Sequence, residues 1–505
     1  MKRTTLGIIL GATLACAAAY GLELAFEWTW TQVLLVVILE VILLAAAVLA
    51  RPERDLPLLC DPIVLFVAFQ VQFFVVGPLA LPYTTFYATV PMSPERIAGT
   101  VGWFVALMAM FWLGYQAPVA SVLAGVLPDF AGTRRRVSGR LVESVLLIGM
   151  LGGCVGFIYY QGGLGDMVNR GYGQGKAGAM FTAVFLLLVL ATVLMAWRVF
   201  SAPTARRRDW ILLGAVILFE VGYWGILLGQ RKWLFYLFFG LSAIFLLRRG
   251  TRAIPRWLLP LVLVLLVIYL SVWGSVRGRP LAALVSENAD PRYAQIESLH
   301  SGYIEGVAGP FGGACLVFEV FPEVEPYRYG QTLLVALLSP IPRAIWPDKP
   351  VGLGKELTRY MGGYYGIFYD PTAGLSITPT LVGDFHANLG SIGVLLGGLA
   401  LGLSCRTVAA YAVRNMRDGL QLTPARALIP AIFLAGMVEV RADLTMMVLF
   451  YMYTLLPLIV LLMFCSFEYG ETAAPAPGSI AQGTSAAGGS RNTPARISPS
   501  AASVP

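Results

Sequence analysis

The feature that most constrains this chain is its succession of apolar stretches, each about 20 residues long and separated by short polar loops. A helix of about 20 apolar residues spans the hydrocarbon core of a bilayer and satisfies its own backbone hydrogen bonds there. Only 13% of the 505 residues are charged, whereas a soluble chain carries about 25%. The sequence therefore predicts an all-α, polytopic integral membrane protein.

Twelve spans are predicted, at 5–26, 31–50, 61–81, 97–117, 141–160, 179–199, 211–229, 233–248, 257–275, 379–404, 426–440 and 444–466. The start of the chain resembles a signal peptide, but its apolar stretch continues to about Phe26, which favours an uncleaved helix. The membrane domain is predicted to cover 1–470. The tail at 471–505 consists mainly of Ala, Gly, Ser and Pro, a composition that predicts disorder.

Basic residues are concentrated in alternate loops, such as "RPER", "RRRVSGR" and "RRGTR". Because cytoplasmic loops are enriched in Lys and Arg, this alternation predicts that both termini are cytoplasmic. It also explains the net charge of +8 without a nucleic-acid partner. One extracytoplasmic loop is long, 276–378, and its apolar segments predict amphipathic or re-entrant helices.

Some basic residues lie on the predicted outer side, where the charge rule does not account for them. They are Arg170, Arg231, Lys232, Arg277, Arg343, Lys349 and Arg441. An ionised side chain at the bilayer centre costs about 2.5–3.5 kcal/mol on insertion scales, so it usually faces a cavity or a partner. The alternative for any one of them is snorkelling to the interface, or pairing with acids such as Glu439 and Asp443. The planar guanidinium of arginine binds two phosphate oxygens at once. As a group, these basic residues therefore favour an anion at headgroup depth. A lipid-linked diphosphate is the first candidate; orthophosphate, nucleotides and acidic headgroups remain open on charge alone.

A polar cluster precedes a glycine-rich stretch in "TPTLVGDFHANLGSIGVLLGGLALGL". Asp384 and Asn388 share one face of a regular helix, and His386 points away from it. Asp384 or His386 could take a proton from a sugar hydroxyl; alternatively, Asp384 caps the helix or pairs with an arginine. The glycines predict close helix packing. With two histidines and no metal-like cysteine spacing, no metal site is predicted.

A proline-rich segment, "SPIPRAIWPDKPVG", follows an apolar helical stretch in the long loop. Its prolines predict that the preceding helix ends at about Ser339 and that a non-helical loop follows. That loop is expected to present Arg343 and Lys349 at headgroup depth, with Trp346 as an interface anchor.

The order of these motifs resembles the oligosaccharide repeat unit polymerases (O-antigen polymerase, Wzy-type). The resemblance lies in "SPIPRAIWPDKP", a Gly/Tyr-rich stretch, "TPTLVGDFHANLGSIGVLLGGLALG" and "VRADL", with "GQRKW" and "SVRGR" before them. It implies a membrane glycosyltransferase similar to the GT-C type, on the outer face of the bacterial plasma membrane. Such enzymes transfer a growing glycan from polyprenyl diphosphate to a lipid-linked repeat unit, and no metal, nucleotide or other cofactor is implied.

The resemblance also implies roles for residues. The catalytic candidates are Asp384, His386, Arg343 and Arg441, and the candidates for binding diphosphate or glycan are Arg170, Arg231, Lys232, Arg277, Lys349 and Asn388. Asp384 is the first choice for deprotonating or orienting the acceptor hydroxyl, whereas His386 is less typical of the family. The implied partners are the polyprenyl-diphosphate-linked oligosaccharide and membrane lipid, with chain-length regulator and flippase proteins left open.

Two other functions remain alternatives. One is en-bloc ligation of a finished glycan to another acceptor, as in O-antigen ligases. The other is a transporter or flippase for polysaccharide precursors, which often contains inverted repeats. The sequence shows no internal repeat, and its unexplained polar residues lie on one predicted side, which favours an enzyme.

Overall fold

Helices make up most of the computed structural model. It describes residues 29–49, 51, 53, 55–84, 90, 92–130, 137–166, 179–202, 205–227, 231–249, 299–338, 341, 345–346, 349–364, 377–414 and 422–467. These residues all belong to one unit, Met1–Tyr469. The predicted spans 5–26 and 257–275 and the predicted tail at 471–505 lie outside the described residues.

The helices in the first half are α1 (Thr29–Leu49), α2 (Pro62–Gln70), α3 (Pro94–Gln116), α4 (Val119–Val126), α5 (Gly139–Tyr160), α6 (Ala179–Ser201), α7 (Arg207–Glu220) and α8 (Arg231–Arg249). A short 3-10 helix, Leu58–Cys60, precedes α2. The α2 axis continues through the π-helix Val71–Val75, the helical turn Val76–Ala80 and the 3-10 turn Leu81–Tyr83. A second π-helix, Val221–Leu227, follows α7.

The helices in the second half are α9 (Leu299–Val320), α10 (Gln331–Leu338), α11 (Leu353–Tyr364), α12 (Thr380–Val413), α13 (Pro424–Gly436), α14 (Leu444–Tyr453) and α15 (Leu455–Phe464). A 3-10 helix, Met437–Arg441, follows α13. Two strands of two residues each, β1 (Val137–Ser138) and β2 (Cys465–Ser466), pair in parallel with Val137 opposite Cys465.

Among the described residues, six helical segments are long and apolar enough to cross a membrane: Pro62–Tyr83, Pro94–Gln116, Gly139–Tyr160, Phe181–Ser201, Thr380–Val413 and Leu444–Phe464. Each coincides with a predicted span, so the prediction of an all-α membrane protein is confirmed at this level. Four other predicted spans coincide with α1, α7, α8 and α13. Ile148 on α5 is 71% exposed and Leu218 on α7 is 72% exposed, as expected for helix faces whose solvent is lipid.

The closest helix packing joins α3 to α12, where glycines bring the two backbones together. A β-carbon added at Gly402 would meet the carbonyl of Phe111, and one added at Gly114 would meet the carbonyl of Leu399. Gly398 faces the Leu107 carbonyl in the same way. Small residues allow such an approach between membrane helices, so the predicted packing role of the glycine-rich stretch is confirmed.

The long loop contains three helices of different character. α9 is buried against α12 and the helical segments Val71–Tyr83 that continue α2, from Val307 to Val320, and Phe311 is fully inaccessible. α10 is half-buried. α11 is amphipathic, because Leu353 and Leu357 are buried while Lys355 and Arg359 are exposed. This helix lies outside 301–321 and 329–346, the two segments of the loop for which amphipathic or half-buried helices were predicted.

Buried ion pairs hold the opposite end of the bundle, where α12 ends and α13 begins. Arg406 Nη1 lies 2.7 Å from Glu53 Oε1, and Arg426 Nη2 lies 2.9 Å from Asp129 Oδ2. Arg198 on α6 contacts Glu143 at 2.8 Å. These arginines lie at or near predicted cytoplasmic loops, and the pairs connect helices that are distant in sequence.

Candidate functional site

One end of the bundle collects most of the described segments that carry the predicted site. α12 and α14 begin there, and α9 and the turn after α13 end there. An ion pair marks the same end, because Arg96 at the start of α3 lies 2.5 Å from Glu319 near the end of α9. We call it the Asp384 end.

A break in α12 shapes this end of the molecule. Leu389 has φ −137° and ψ 17°, and Gly390 has φ 60° and ψ −146°. The break frees carbonyls that a continuous helix would use. The Ala387 carbonyl accepts from the Arg328 amide at 2.8 Å, and the Asn388 carbonyl accepts from the Tyr329 amide at 2.9 Å. The positive φ of Gly390, with the Tyr327 hydroxyl packed against it, requires glycine at this position.

Asp384 lies at the centre of a hydrogen-bonded junction between α10, α12 and α14. Its Oδ1 accepts from Thr332 Oγ1 at 2.6 Å and from Asn388 Nδ2 at 2.8 Å. Its Oδ2 accepts from the Leu444 amide at 2.9 Å. Asn388 also donates to Thr332 Oγ1 at 2.6 Å and accepts from the Gly330 amide at 2.9 Å. The predicted common face of Asp384 and Asn388 is confirmed by their direct hydrogen bond.

This geometry makes Asp384 a structural acceptor. Both carboxylate oxygens are bonded and the residue has no exposed surface. The Leu444 amide is one of the donors at the start of α14 that have no partner within that helix. Asp384 therefore caps a helix, as the alternative interpretation held, although the helix is α14 and not its own. In this conformation its carboxylate is shielded from a substrate.

His386 lies on the other side of α12, facing α9. Its Nε2 donates to the Phe321 carbonyl at 3.0 Å, and its ring lies 4.3 Å from the Phe318 ring and 5.8 Å from the Tyr327 ring. Nδ1 is buried without a hydrogen-bond partner among the described residues. The structure does not bring His386 together with the Asp384 carboxylate, and an aromatic pocket surrounds it.

The end of the proline-rich segment reaches the Asp384 end. α10 ends at Leu338, which confirms the predicted helix end near Ser339. Lys349 Nζ donates to the Ile341 carbonyl at 2.9 Å, and the residue is only 8% exposed. Lys349 thus folds back onto its own loop, which differs from the expected exposed presentation. Gly352 follows and faces Asp443 and Thr445.

Asp443, Glu439 and Lys232 form a second polar group next to Asp384. Asp443 Oδ1 caps α14 by accepting from the Met446 amide at 2.8 Å, and its carboxylate also accepts from the Gly354 amide. Burial, together with the neighbouring Glu439, raises the pKa of Asp443 to about 6, and the amides of Met446 and Gly354 and the charge of Lys232 oppose the shift. Lys232 Nζ lies 3.8 Å from Glu439 Oε1.

The other predicted basic residues are only partly described. Arg441 ends the 3-10 turn that contains Glu439. Its guanidinium carbon lies 6.0 Å from the centre of the Phe73 ring. Arg231 begins α8, but its side chain lies outside the described part of the structure. Arg170, Arg277 and Arg343 also lie outside the described residues.

Sequence reasoning missed two groups at this end. Thr332 completes the junction around Asp384, and nothing in the local pattern of α10 indicates that role. Arg328 lies 3.3 Å from Glu356 Oε2 and 3.4 Å from Glu325 Oε2. Burial raises the pKa of Glu356, and Arg328 opposes the shift. The sequence did contain a signal for Arg328. It is a basic residue in the predicted outer loop, so it breaks the same charge rule as the predicted candidates.

Comparisons of the chain with protein-family models, curated proteins and solved structures find no match. Among the described residues, no group of three or more His, Cys, Asp or Glu side chains is arranged to hold a metal ion. The assignment of function therefore depends on the residues at the Asp384 end.

Proposed function

We propose that the protein is a glycosyltransferase that polymerises lipid-linked oligosaccharide repeat units for a bacterial surface polysaccharide: O-antigen, capsule or exopolysaccharide. It transfers the growing glycan from polyprenyl diphosphate to a new lipid-linked repeat unit. In this proposal the chain crosses the bacterial plasma membrane twelve times, both termini are cytoplasmic, and the Asp384 end faces the extracytoplasmic side.

The observation that carries this proposal is the convergence of four distant segments at one end of the bundle. Lys232 lies in the first turn of α8, Gly352 ends the proline-rich segment, Asp384 lies in the first turns of α12, and Asp443 precedes α14. Each segment belongs to a motif that resembles the repeat unit polymerases. Their meeting around a mixed basic and acidic cluster supports one shared site, as catalysis on a single substrate requires.

The chemistry of the cluster fits transfer from a lipid diphosphate. Lys232 and Arg441 supply positive charge, which stabilises negative charge as it develops on the leaving diphosphate. The Asp384 junction holds the start of α14 and the loop at 328–330 in fixed positions. A donor that already carries a diphosphate leaving group needs no nucleotide.

An apolar groove lies where α5 ends and α6 begins, and a series of aromatic rings runs from it to Trp233, the residue after Lys232. It has a volume of about 890 Å³ and is lined by residues that include Gly153, Tyr160 and Phe181. Phe185 connects the two regions, because its ring lies 5.5 Å from the Trp233 ring and 5.5 Å from the Phe157 ring. A groove of this kind suits the hydrocarbon chain of a lipid-linked donor.

Deletion of the gene, followed by gel analysis of surface polysaccharide, tests the proposal. We expect loss of long chains while a single repeat unit remains attached to its acceptor. Loss of all exported repeat units would indicate a flippase, and long chains that stay on the lipid carrier would indicate a ligase. Normal long chains in the deletion strain would refute the proposal. Combined deletions with the chain-length regulator or flippase would then test those partners.

A further inference from the structure

Glu439 is a buried carboxylate whose hydrogen bonding is incomplete. It lies in the 3-10 turn Met437–Arg441 and is 1% exposed. Its Oε1 has no hydrogen-bond partner among the residues that the structure describes. The nearest described cation, Lys232 Nζ, is 3.8 Å away, which is within ion-pair range but too long for a hydrogen bond. Most buried polar atoms in native proteins have a hydrogen-bond partner, so this oxygen calls for an explanation.

The two neighbouring carboxylates do not share this property. Asp384 accepts hydrogen bonds on both oxygens from Thr332, Asn388 and Leu444. Asp443 accepts from the amides of Met446 and Gly354. Of these three acids, Glu439 is therefore the one with an oxygen available to a new donor.

Lys232 is the more exposed member of its ion pair with Glu439. Its side chain is 23% exposed, whereas that of Glu439 is 2% exposed, so an incoming molecule meets the ammonium group first. A diphosphate carries more negative charge than one carboxylate and offers more acceptor oxygens. It therefore competes with Glu439 for Lys232. Movement of the ammonium toward the diphosphate would uncover Oε1 at the moment the donor binds.

We propose that Glu439 accepts the proton of the acceptor hydroxyl, and that Lys232 covers Glu439 until a lipid diphosphate draws Lys232 away. This inference rests on the proposed polymerase function. In the step, the acceptor O–H bond breaks and its proton goes to Glu439 Oε1. The oxygen forms a bond to the anomeric carbon of the donor sugar. The bond from that carbon to the diphosphate oxygen breaks, and its electron pair leaves with the polyprenyl diphosphate.

Asp384 has a different task in this arrangement and is a positioning residue. Its bond to the Leu444 amide fixes the start of α14. That start follows directly on the turn that carries Glu439. Within the described part of the chain, the charged or titratable groups that face Glu439 are Lys232 from α8, Asp443 before α14, and Tyr451 on α14.

The test uses full-length variants in purified membranes, with polymer formation from a polyprenyl-diphosphate-linked repeat unit as the assay. We expect Glu439→Gln to lower kcat by about 10²–10⁴-fold, the usual contribution of a general base. The decrease of kcat at low pH should also be absent from the Glu439→Gln variant. Lys232→Met should chiefly raise KM for the lipid diphosphate. The matched control is Glu319→Gln, because Glu319 forms an ion pair with Arg96 at the same end of the bundle; its kcat should equal that of the wild type.

The outcomes separate this inference from the proposed function. If the deletion strain lacks long chains but Glu439→Gln restores them with wild-type kcat and pH profile, the base assignment is wrong and the polymerase proposal stands. If the deletion strain keeps long chains, the polymerase proposal itself fails. Melting temperature reports folding; should Glu439→Gln not fold, Glu439→Asp is measured instead. A shorter side chain should lower kcat with little change in KM, and an unchanged kcat in Glu439→Asp overturns the inference.

Discussion

Replacing Asn388 with alanine should destabilise the Asp384 end of the protein. The Asn388 side chain makes four hydrogen bonds. It donates to Thr332 Oγ1 at 2.6 Å, to the Asp384 carbonyl at 2.8 Å and to Asp384 Oδ1 at 2.8 Å, and it accepts from the Gly330 amide at 2.9 Å. It therefore joins α10, α12 and the loop before α10.

The magnitude follows from these partners. A neutral hydrogen bond contributes about 1 kcal/mol net and a bond to a charged group about 1.5–3 kcal/mol. The four bonds are not additive, because they share Asp384 and Thr332. We expect Asn388→Ala to lower the free energy of unfolding by about 4 kcal/mol. Melting temperature shifts by about 2–4 °C per kcal/mol for 150–250 residues and by less for longer chains, so the expected drop is about 4–8 °C.

Thermal unfolding in detergent, followed by tryptophan fluorescence, measures this effect. The matched control is Ser404→Ala on the same helix, because the exposed Ser404 hydroxyl bonds only to the Ala400 carbonyl one turn earlier. Its melting temperature should stay within about 1 °C of the wild type. Equal melting temperatures for the two variants would refute the structural role assigned to Asn388.

Three further predictions concern other parts of the fold. Gly402→Ala should lower the melting temperature by several degrees because its β-carbon would meet the Phe111 carbonyl, whereas Gly149→Ala, with open space at that position, should not. Arg406→Met should cost about 3–5 kcal/mol by removing the guanidinium that lies 2.7 Å from the buried Glu53 carboxylate, and Arg406→Met with Glu53→Met should recover much of that loss. Asp443 has a pKa raised from 3.8 to about 6, so its stabilising effect is complete below pH 4 and is lost as pH rises through 6. The loss amounts to about 3 kcal/mol, at 1.36 kcal/mol per pKa unit. Asp443→Asn keeps the helix cap and should remove this part of the pH dependence.

For each of these three predictions, a specific result would contradict the reasoning. Equal melting temperatures for the two glycine variants would mean that the α3–α12 contact tolerates a methyl group. A double variant no more stable than Arg406→Met would show that the pair is not the source of the loss. Parallel curves of melting temperature against pH for wild type and Asp443→Asn would exclude a raised pKa at Asp443.

The sequence predicted the helices well because each is a long apolar run bounded by charged or helix-breaking residues. Ten predicted spans coincide with helices in the described part of the structure, most within a few residues. The π-helical segments at Val71–Val75 and Val221–Leu227 were not predicted. One extra residue in a helical turn leaves the apolar pattern almost unchanged, so periodicity cannot detect it.

The site was predicted less completely, since its contacts join segments far apart in the chain. The shared face of Asp384 and Asn388 follows from helical spacing and was predictable. The bonds from Thr332 and from the Leu444 amide depend on how α10 and α14 meet α12, which no local pattern specifies. Lys349 was predicted from its charge alone, and charge does not reveal that its ammonium is used to close its own loop.

The break at Gly390 divides α12 into two parts that contact different elements of the fold. The residues before it are bonded to the loop at 328–330, to α10 and to the start of α14, whereas the residues after it are held against α3 by the glycine contacts. A tilt about Gly390 of the part of α12 before it would therefore move Asp384, Thr332 and the start of α14 together. Such a tilt would change the position of Asp384 without opening the α3–α12 contact.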